Sequence, residues 1–218
     1  MNAITPVLET HTFRDKDFVG GDVVLDFVNT VTGRNGRPRD WIPSFGALAD
    51  WATAARLLPK GQCQRLKRRS RHVSEDATTA LGTARKLREV LHRVLMRSIG
   101  GGSGGKEDLQ YLHQMWCHAL GRHSLRSVRG SVQPVLLQSS ADLEAIGSVL
   151  AVRAMDVLRN LPVTRLRQCA GPNCAWLFID SSKGGRRRWC DMATCGNDAK
   201  ARRHYLSKKK STEQRSTG

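Results

Sequence analysis

Four cysteines near the end of the chain limit its fold more than any other feature. They fall as two pairs, Cys169-x4-Cys174 and Cys190-x4-Cys195, with fifteen residues between the pairs. A short spacing across a turn makes two sulfurs converge, and an insert of hairpin length brings the second pair back to the first. Gly171-Pro172-Asn173 fills the first turn and Gly196-Asn197 follows the last cysteine, both good turn chemistry. Four thiolates select zinc over hard cations such as magnesium. With every position taken by the protein, none stays open for a substrate water. The expected centre is one structural Zn2+ on Cys169, Cys174, Cys190 and Cys195, whose binding energy is folding energy for so small a module. Four free buried cysteines or an iron–sulfur cluster fit less well; the usual ferredoxin spacings are absent.

The compartment reading agrees with reduced thiols. Met1 to Thr10 has neither a basic start nor an apolar run, so it does not read as a secretory signal. No stretch approaches the roughly 20 apolar residues that span a bilayer. A cytoplasmic, non-membrane protein is expected, where disulfides are rare.

Charge points to the partner. The 218 residues carry 36 Lys+Arg against 19 Asp+Glu, a formal net of +17. Such a surface attracts polyanions, nucleic acid first, an anionic membrane second; a merely soluble basic surface ranks third. Residues 161–218 hold 13 Lys+Arg and 4 Asp+Glu, so about half of the excess lies in about a quarter of the chain, beside the cysteines.

Ahead of that segment the pattern is mostly helical. Gly20-Gly21-Asp22 precedes a valine-rich run, Val23 to Val31, which propensity assigns to a strand and periodicity leaves nearly as open to a buried helix. Thr32 to Asp40 reads as a loop. Ser44 can cap a helix with Phe45, Leu48, Trp51, Ala52 and Ala55 on one side, ended by Pro59-Lys60-Gly61, and a basic stretch from Arg65 to Arg71 follows. The clearest helix is residues 75–98, with Leu81, Ala84, Leu87, Leu91, Val94 and Leu95 inward and Arg85, Lys86, Arg88, Glu89 and Arg93 opposite. A glycine-rich loop, Gly100 to Gly105, leads to a helix over 106–120 with Leu109, Leu112, Trp116 and Leu120 inward. Residues 123–138 suggest a β-hairpin. A last apolar helix starts at Asp142 or Ser140 and stops at Leu161-Pro162. Asp26 and Asn29 interrupt the valine-rich run; they either line a ligand pocket or cap and bridge inside the core.

Within the cysteine segment, Trp176 to Ile179 is a strand, Asp180 to Gly185 a polar turn, Arg186 to Trp189 a return strand, and Asp198 a cap for a basic helix from Ala199. Knuckle, hairpin and helix together are similar to a treble-clef finger. Arg186, Arg187 and Arg188 on the hairpin, with Lys200, Arg202 and Arg203 on the helix, would share one cationic face able to grip phosphates. Trp176, Phe178 and Trp189 could stack on bases; a module this small more readily needs them as its core.

These residues also carry a resemblance. The stretch Cys169 to His204 resembles the CGNR zinc finger at Trp176, Phe178, Asp180, Ser182, Arg187, Arg188, Trp189, Cys190, Met192, Cys195, Gly196, Asn197 and Lys200. Leu25-Asp26-Phe27-Val28-Asn29-Thr30, Leu48-x2-Trp51 and the later helices resemble the ABATE domain that usually precedes it. The resemblance implies a bacterial protein of a family regarded as stress-induced transcription regulators, with DNA binding inferred from basic residues. One letter departs: Asp198 stands where the family signature has arginine, which either removes a phosphate contact or leaves a helix cap.

The expected fold is thus a mainly α N-terminal domain with a small β-hairpin (1–160), a four-cysteine zinc module with a treble-clef-like hairpin plus helix (161–210), and a mobile tail (211–218). The expected function is a zinc-containing regulator of transcription on double-stranded DNA, whose first domain senses a small-molecule effector or forms a homodimer. An RNA-binding or ribosome-associated factor, and a protein-interaction module with purely structural zinc, are the alternatives. No phosphate loop, nucleophile elbow or carboxylate pair supports an enzyme. His113, Cys117 and His118 lie within a helical turn and read as a helix face rather than a second metal site.

Overall fold

The structure, a computed structural model, describes residues 5–137 and 142–216. Ser140, the alternative start of the last apolar helix, and residues 217 and 218 of the expected tail lie outside the described residues, as do the side chains of Lys209 and Lys210.

Strand β1 (Val7–Leu8) opens the chain, and helix α1 (Val23–Val28) replaces the strand that propensity favoured. Asp22 is extended and its carboxylate accepts the Val24 N–H at 2.8 Å, a complete N-cap. Five of the six helical residues are buried, so tertiary packing outweighs the low helix propensity of valine. The expected loop after it is a small sheet. β2 (Val31–Thr32) pairs antiparallel with β3 (Arg39–Asp40), and β1 pairs parallel with β3.

Helix α2 (Phe45–Ala54) is capped by Ser44, which accepts from Ala47 N at 3.2 Å. It ends where Arg56 takes a positive φ of 54°, before Pro59. Pro59 instead introduces α3 (Lys60–Arg69), so the basic stretch is a helix. The long α4 (Ser74–Ile99) buries the expected apolar stripe, with one exception to the charged face: Arg88 is 2% exposed. Its guanidinium makes a bidentate pair with buried Asp40 (2.8 and 2.6 Å) and donates to Thr30 Oγ1, pinning α4 to β3.

Across the glycine loop, α5 (Lys106–Leu120) is tied back to α4 by Asp108, which Arg93 and Arg97 hold at 2.6 and 2.8 Å. Leu112 and Ala119 face the core, whereas Leu109 and Leu120, expected inward, are exposed. The expected hairpin is β4 (His123–Val128) with β5 (Ser131–Leu136), joined through Arg129 and Gly130 at φ of 52° and 80°, the two left-handed positions a two-residue hairpin loop needs. Helix α6 (Ala145–Asn160) packs on α4 and α5. One core joins α1, α2, α4 and α6, and it takes in Leu166 and Leu177 from the cysteine segment.

In that segment β6 (Leu166–Gln168) pairs antiparallel with β7 (Leu177–Ile179), and α7 (Asn197–Ser216) closes the chain. The hairpin therefore forms upstream of the expected place. The partner of β7 precedes the first cysteine, and Arg186 to Trp189 is irregular. Residues 211–216, expected as a tail, continue α7. Among the described residues no helix is long and apolar enough to cross a membrane.

Candidate metal centre

The four cysteines converge. The loop between β6 and β7 carries Cys169 and Cys174; Cys190 and Cys195 flank and enter a single wide turn, Met192–Gly196, that runs into α7. All four Sγ atoms lie within 4.8 Å of one another, with Cys174 to Cys190 and Cys190 to Cys195 both at 3.6 Å. A tetrahedron with zinc–sulfur bonds of about 2.3 Å needs sulfurs about 3.8 Å apart, so the spacing fits the ion. Three of the cysteines are buried and Cys195 is half-buried.

The backbone prepares the site. Gly171 N and Cys190 N both point at Cys169 Sγ, at 3.4 and 3.3 Å, as donors to a thiolate. Hydrogen bonding from the Cys174 and Cys190 thiols, aided by those N–H groups, pulls Cys169 down to about 2. The contact with Cys169 pushes Cys174 and Cys190 up. Without a cation the cluster can hold one thiolate among thiols; a divalent ion lets all four ionise. The donor set and spacing hold one structural zinc.

The remaining signature residues build the frame around the metal. Asp180 accepts Ser182 N and Oγ through one oxygen (2.9 and 2.6 Å) and Arg187 N through the other (2.8 Å), fixing the polar turn. Arg187 lies over the Phe178 ring at 4.7 Å and donates to the carbonyls of Trp189 and Cys190. Its guanidinium is thus engaged inside the module. At Gly196 a Cβ would stand 2.7 Å from the Met192 sulfur, a contact that the exposed Met192 side chain could yield to, and 3.4 Å from the Trp189 ring. The cap of the final turn is Asp191, accepting Thr194 N at 3.0 Å, and Asp198 is exposed in the first turn of α7 instead of capping it. Trp176 and Phe178 pack with Cys169, Cys174 and Cys190, and Trp189 packs against them, which places all three aromatics in the core of the module rather than on a stacking platform.

The polar residues of the first domain reach this frame directly. In β7, alternate residues present their backbone groups to opposite edges. One edge pairs with β6 through Phe178; the other meets Asn29, whose side-chain amide donates to Leu177 O (2.9 Å) and accepts from Leu177 N (2.8 Å). Ile179 N donates to Gly20 O at 2.9 Å, and Gly20 N donates to Asp26 at 2.8 Å. Gly33, at a φ of 67° open to glycine, donates to Cys174 O at 2.9 Å. Trp41 meets Trp176 edge-on at 5.6 Å. Asp26 and Asn29 thus make the bridging contacts that one of the two expected readings described. Both are buried and bridge inside the core, Asn29 as a clamp on the zinc module. Burial, with Asp22 nearby, pushes the Asp26 carboxyl up to about 7 against the lowering effect of Gly20 N–H.

The expected cationic set divides. Arg186, Arg188, Lys200, Arg202 and Arg203 are exposed; Arg187 is half-buried and internally bonded. Cys117 lies 3.6 Å from His113 Nε2, while His118 turns to Glu144 at 2.9 Å, so the three do not form a metal site.

Comparison with known families agrees with this geometry. The model for the CGNR zinc finger matches residues 165–208, and the model for ABATE, described as "Putative stress-induced transcription regulator", matches residues 21–161. No curated protein matches the chain. With the second model spanning about two thirds of its residues, the chain belongs to the ABATE family and carries a CGNR zinc finger at its C-terminal end.

Proposed function

We propose that this protein is a bacterial transcription regulator that holds double-stranded DNA with the zinc module, while the N-terminal domain senses a small-molecule effector or dimerises. The observation that carries the reading is α7 and the loop beside it. Arg186, Arg188, Lys200, Arg202 and Arg203 are exposed around one metal centre. The helix itself spans about 30 Å. Along it, Lys200, Arg202, Arg203, Lys208, Lys209, Lys210 and Arg215 stand against only Asp198 and Glu213. Tyr205 and Leu206 are exposed, and among the described residues no apolar stripe ties α7 to the rest of the protein. A polar helix of this kind is weakly stable alone. A polyanion laid along it would supply the missing stabilisation. A cytoplasmic location is part of the same proposal, a role in stress follows from the family reading, and no catalytic role is assigned to either unit.

Fluorescence anisotropy with the zinc-loaded full chain tests this, using a labelled duplex and a structured RNA at several salt concentrations. Five phosphate contacts predict a slope of about −4.5 in log K against log salt on duplex DNA. Tighter binding to RNA at every salt concentration would favour the RNA-binding alternative. Binding to neither would leave the zinc module as a scaffold for protein contacts.

A further inference from the structure

A cleft of about 590 Å³ lies on the N-terminal domain, between the start of α2, the end of α3 and the start of α4. Its polar lining is cationic or hydroxylic: Lys67, Arg71 and Arg85, with Ser44, Ser70 and Ser74, and no carboxylate among its lining residues. Its apolar floor includes Phe45 and Leu81.

We propose that this cleft is a binding site for a phosphoryl group, separate from the zinc module. Three cations of different origin reach one cavity, Lys67 and Arg71 from α3 and the segment after it, Arg85 from α4. Arg85 is fixed in place: its Nε and Nη2 donate to Ile42 O at 3.2 and 2.6 Å. Its Nε also lies 3.5 Å from the Asp40 carboxylate, which Arg88 already engages at 2.6 Å, so one carboxylate serves two guanidinium groups and an anion in the cleft would add to the compensation. Burial lowers the Arg85 pKa against the pull of Asp40, and the Arg88 charge adds to the lowering. Lys67 is held by Asp50 at 2.6 Å in an exposed pair, Asp50 being about half exposed, and such a pair gives way at little cost. The Ser74 hydroxyl adds a donor suited to phosphate oxygens, whereas the Ser70 hydroxyl already donates to Lys67 O at 2.9 Å. The apolar floor leaves room for an organic group on the phosphate. The source is either a free phosphorylated small molecule or the backbone of nucleic acid bound elsewhere on the protein.

The test is titration of the zinc-loaded full chain with pyrophosphate and with ATP, followed by amide chemical shifts. Saturable binding with shifts centred on Gly46, Lys67, Arg71 and Ser74 is expected. Lys67→Gln with Arg71→Gln should weaken binding about tenfold or more, since two charge-assisted contacts go. Arg65→Gln with Arg68→Gln removes the same charge outside the lining and should leave binding unchanged. A short duplex separates the sources: displacement of the pyrophosphate, with duplex affinity lost in the cleft variant, identifies a nucleic-acid phosphate; unaltered duplex binding identifies a small molecule. Equal losses in the two double variants, shifts centred on Arg186 to Arg203, or no saturation overturn the proposal.

Discussion

Replacing Asn29 by alanine would cut the two-pronged clamp on β7 and nothing else that the sequence can change so cleanly. The amide makes two hydrogen bonds to Leu177, at 2.9 and 2.8 Å, and Leu177 is fully buried. In the alanine variant, Leu177 N–H and C=O both lose their partner where water does not reach them. An orphaned buried polar group costs about 1–3 kcal/mol, so the pair predicts a loss of about 2–6 kcal/mol. Gly20 O to Ile179 N and Gly33 N to Cys174 O remain, so the zinc should stay bound. For a chain of this size, at about 2–4 °C per kcal/mol, the loss corresponds to a fall in Tm of about 4–24 °C. Differential scanning calorimetry gives the Tm, and hydrogen exchange should show the Leu177 amide exchanging faster while amides of α4 keep their order of protection. Asn29→Asp sharpens the test: the carboxylate still accepts Leu177 N–H but faces Leu177 O without a donor, so it should also destabilise. A change below about 0.5 kcal/mol in both variants would refute the view that this side chain joins the two units.

Four further outcomes follow from the same contacts. Chelation of the metal, or Cys190→Ser, should abolish the near-ultraviolet circular dichroism of Trp176 and Trp189, because a four-thiolate zinc site supplies apparent binding energies of about 10–16 kcal/mol. Arg187→Ala should lower thermal stability through the lost contacts to Phe178, Trp189 and Cys190, whereas Arg188→Ala should leave Tm unchanged and make the salt slope of DNA binding about one unit shallower. Arg88→Ala should cost about 3 kcal/mol in urea unfolding by removing the bidentate partner of buried Asp40 and leaving it only the longer 3.5 Å contact with Arg85 and the Ile42 N–H. Asp26 has a carboxyl pushed up from 3.8 to about 7. Below pH 4 both folded and unfolded states hold its proton; between pH 4 and 7 only the folded state does, so stability from this group falls as pH rises and levels off above 7. Asp26→Asn should therefore gain stability over the native chain by a few kcal/mol at pH 8 and show little difference at pH 4, read as the difference in unfolding free energy across pH.

Which parts of this molecule could be read without coordinates depended on how far apart the interacting residues stand. The zinc ligands were legible because metal chemistry fixes residue type and the chain fixes spacing, and Ser44 and the stripe of α4 because caps and helical periodicity are local. The strand paired with β7 was misplaced for a related reason. Arg186 to Trp189 follows a polar turn and reads as a return strand, yet Asp180 holds Arg187 N and keeps that segment irregular, while Leu166 to Gln168 takes the ladder. Arg88 sits among charged neighbours on a face that periodicity gives to water, and its remote partners Asp40 and Thr30, 48 and 58 residues away, explain its burial. Asn29 is the extreme case, 148 residues from Leu177. A polar residue in a buried run announces that some partner exists, and a strand with one free edge announces the same, but nothing local matches the two. The Leu25-Asp26-Phe27-Val28-Asn29-Thr30 stretch acquires its meaning there. Its apolar residues enter the core, Asp26 fastens the preceding glycine turn, and Asn29 completes the open edge of β7. Thr30 in turn receives Arg88 of α4. A displacement of α4 would thus reach the zinc module through a run of direct contacts, Arg88 to Thr30, then along the backbone to Asn29 and Leu177. That route would give the sensing event proposed for the N-terminal domain a physical means of altering the placement of the cationic surface.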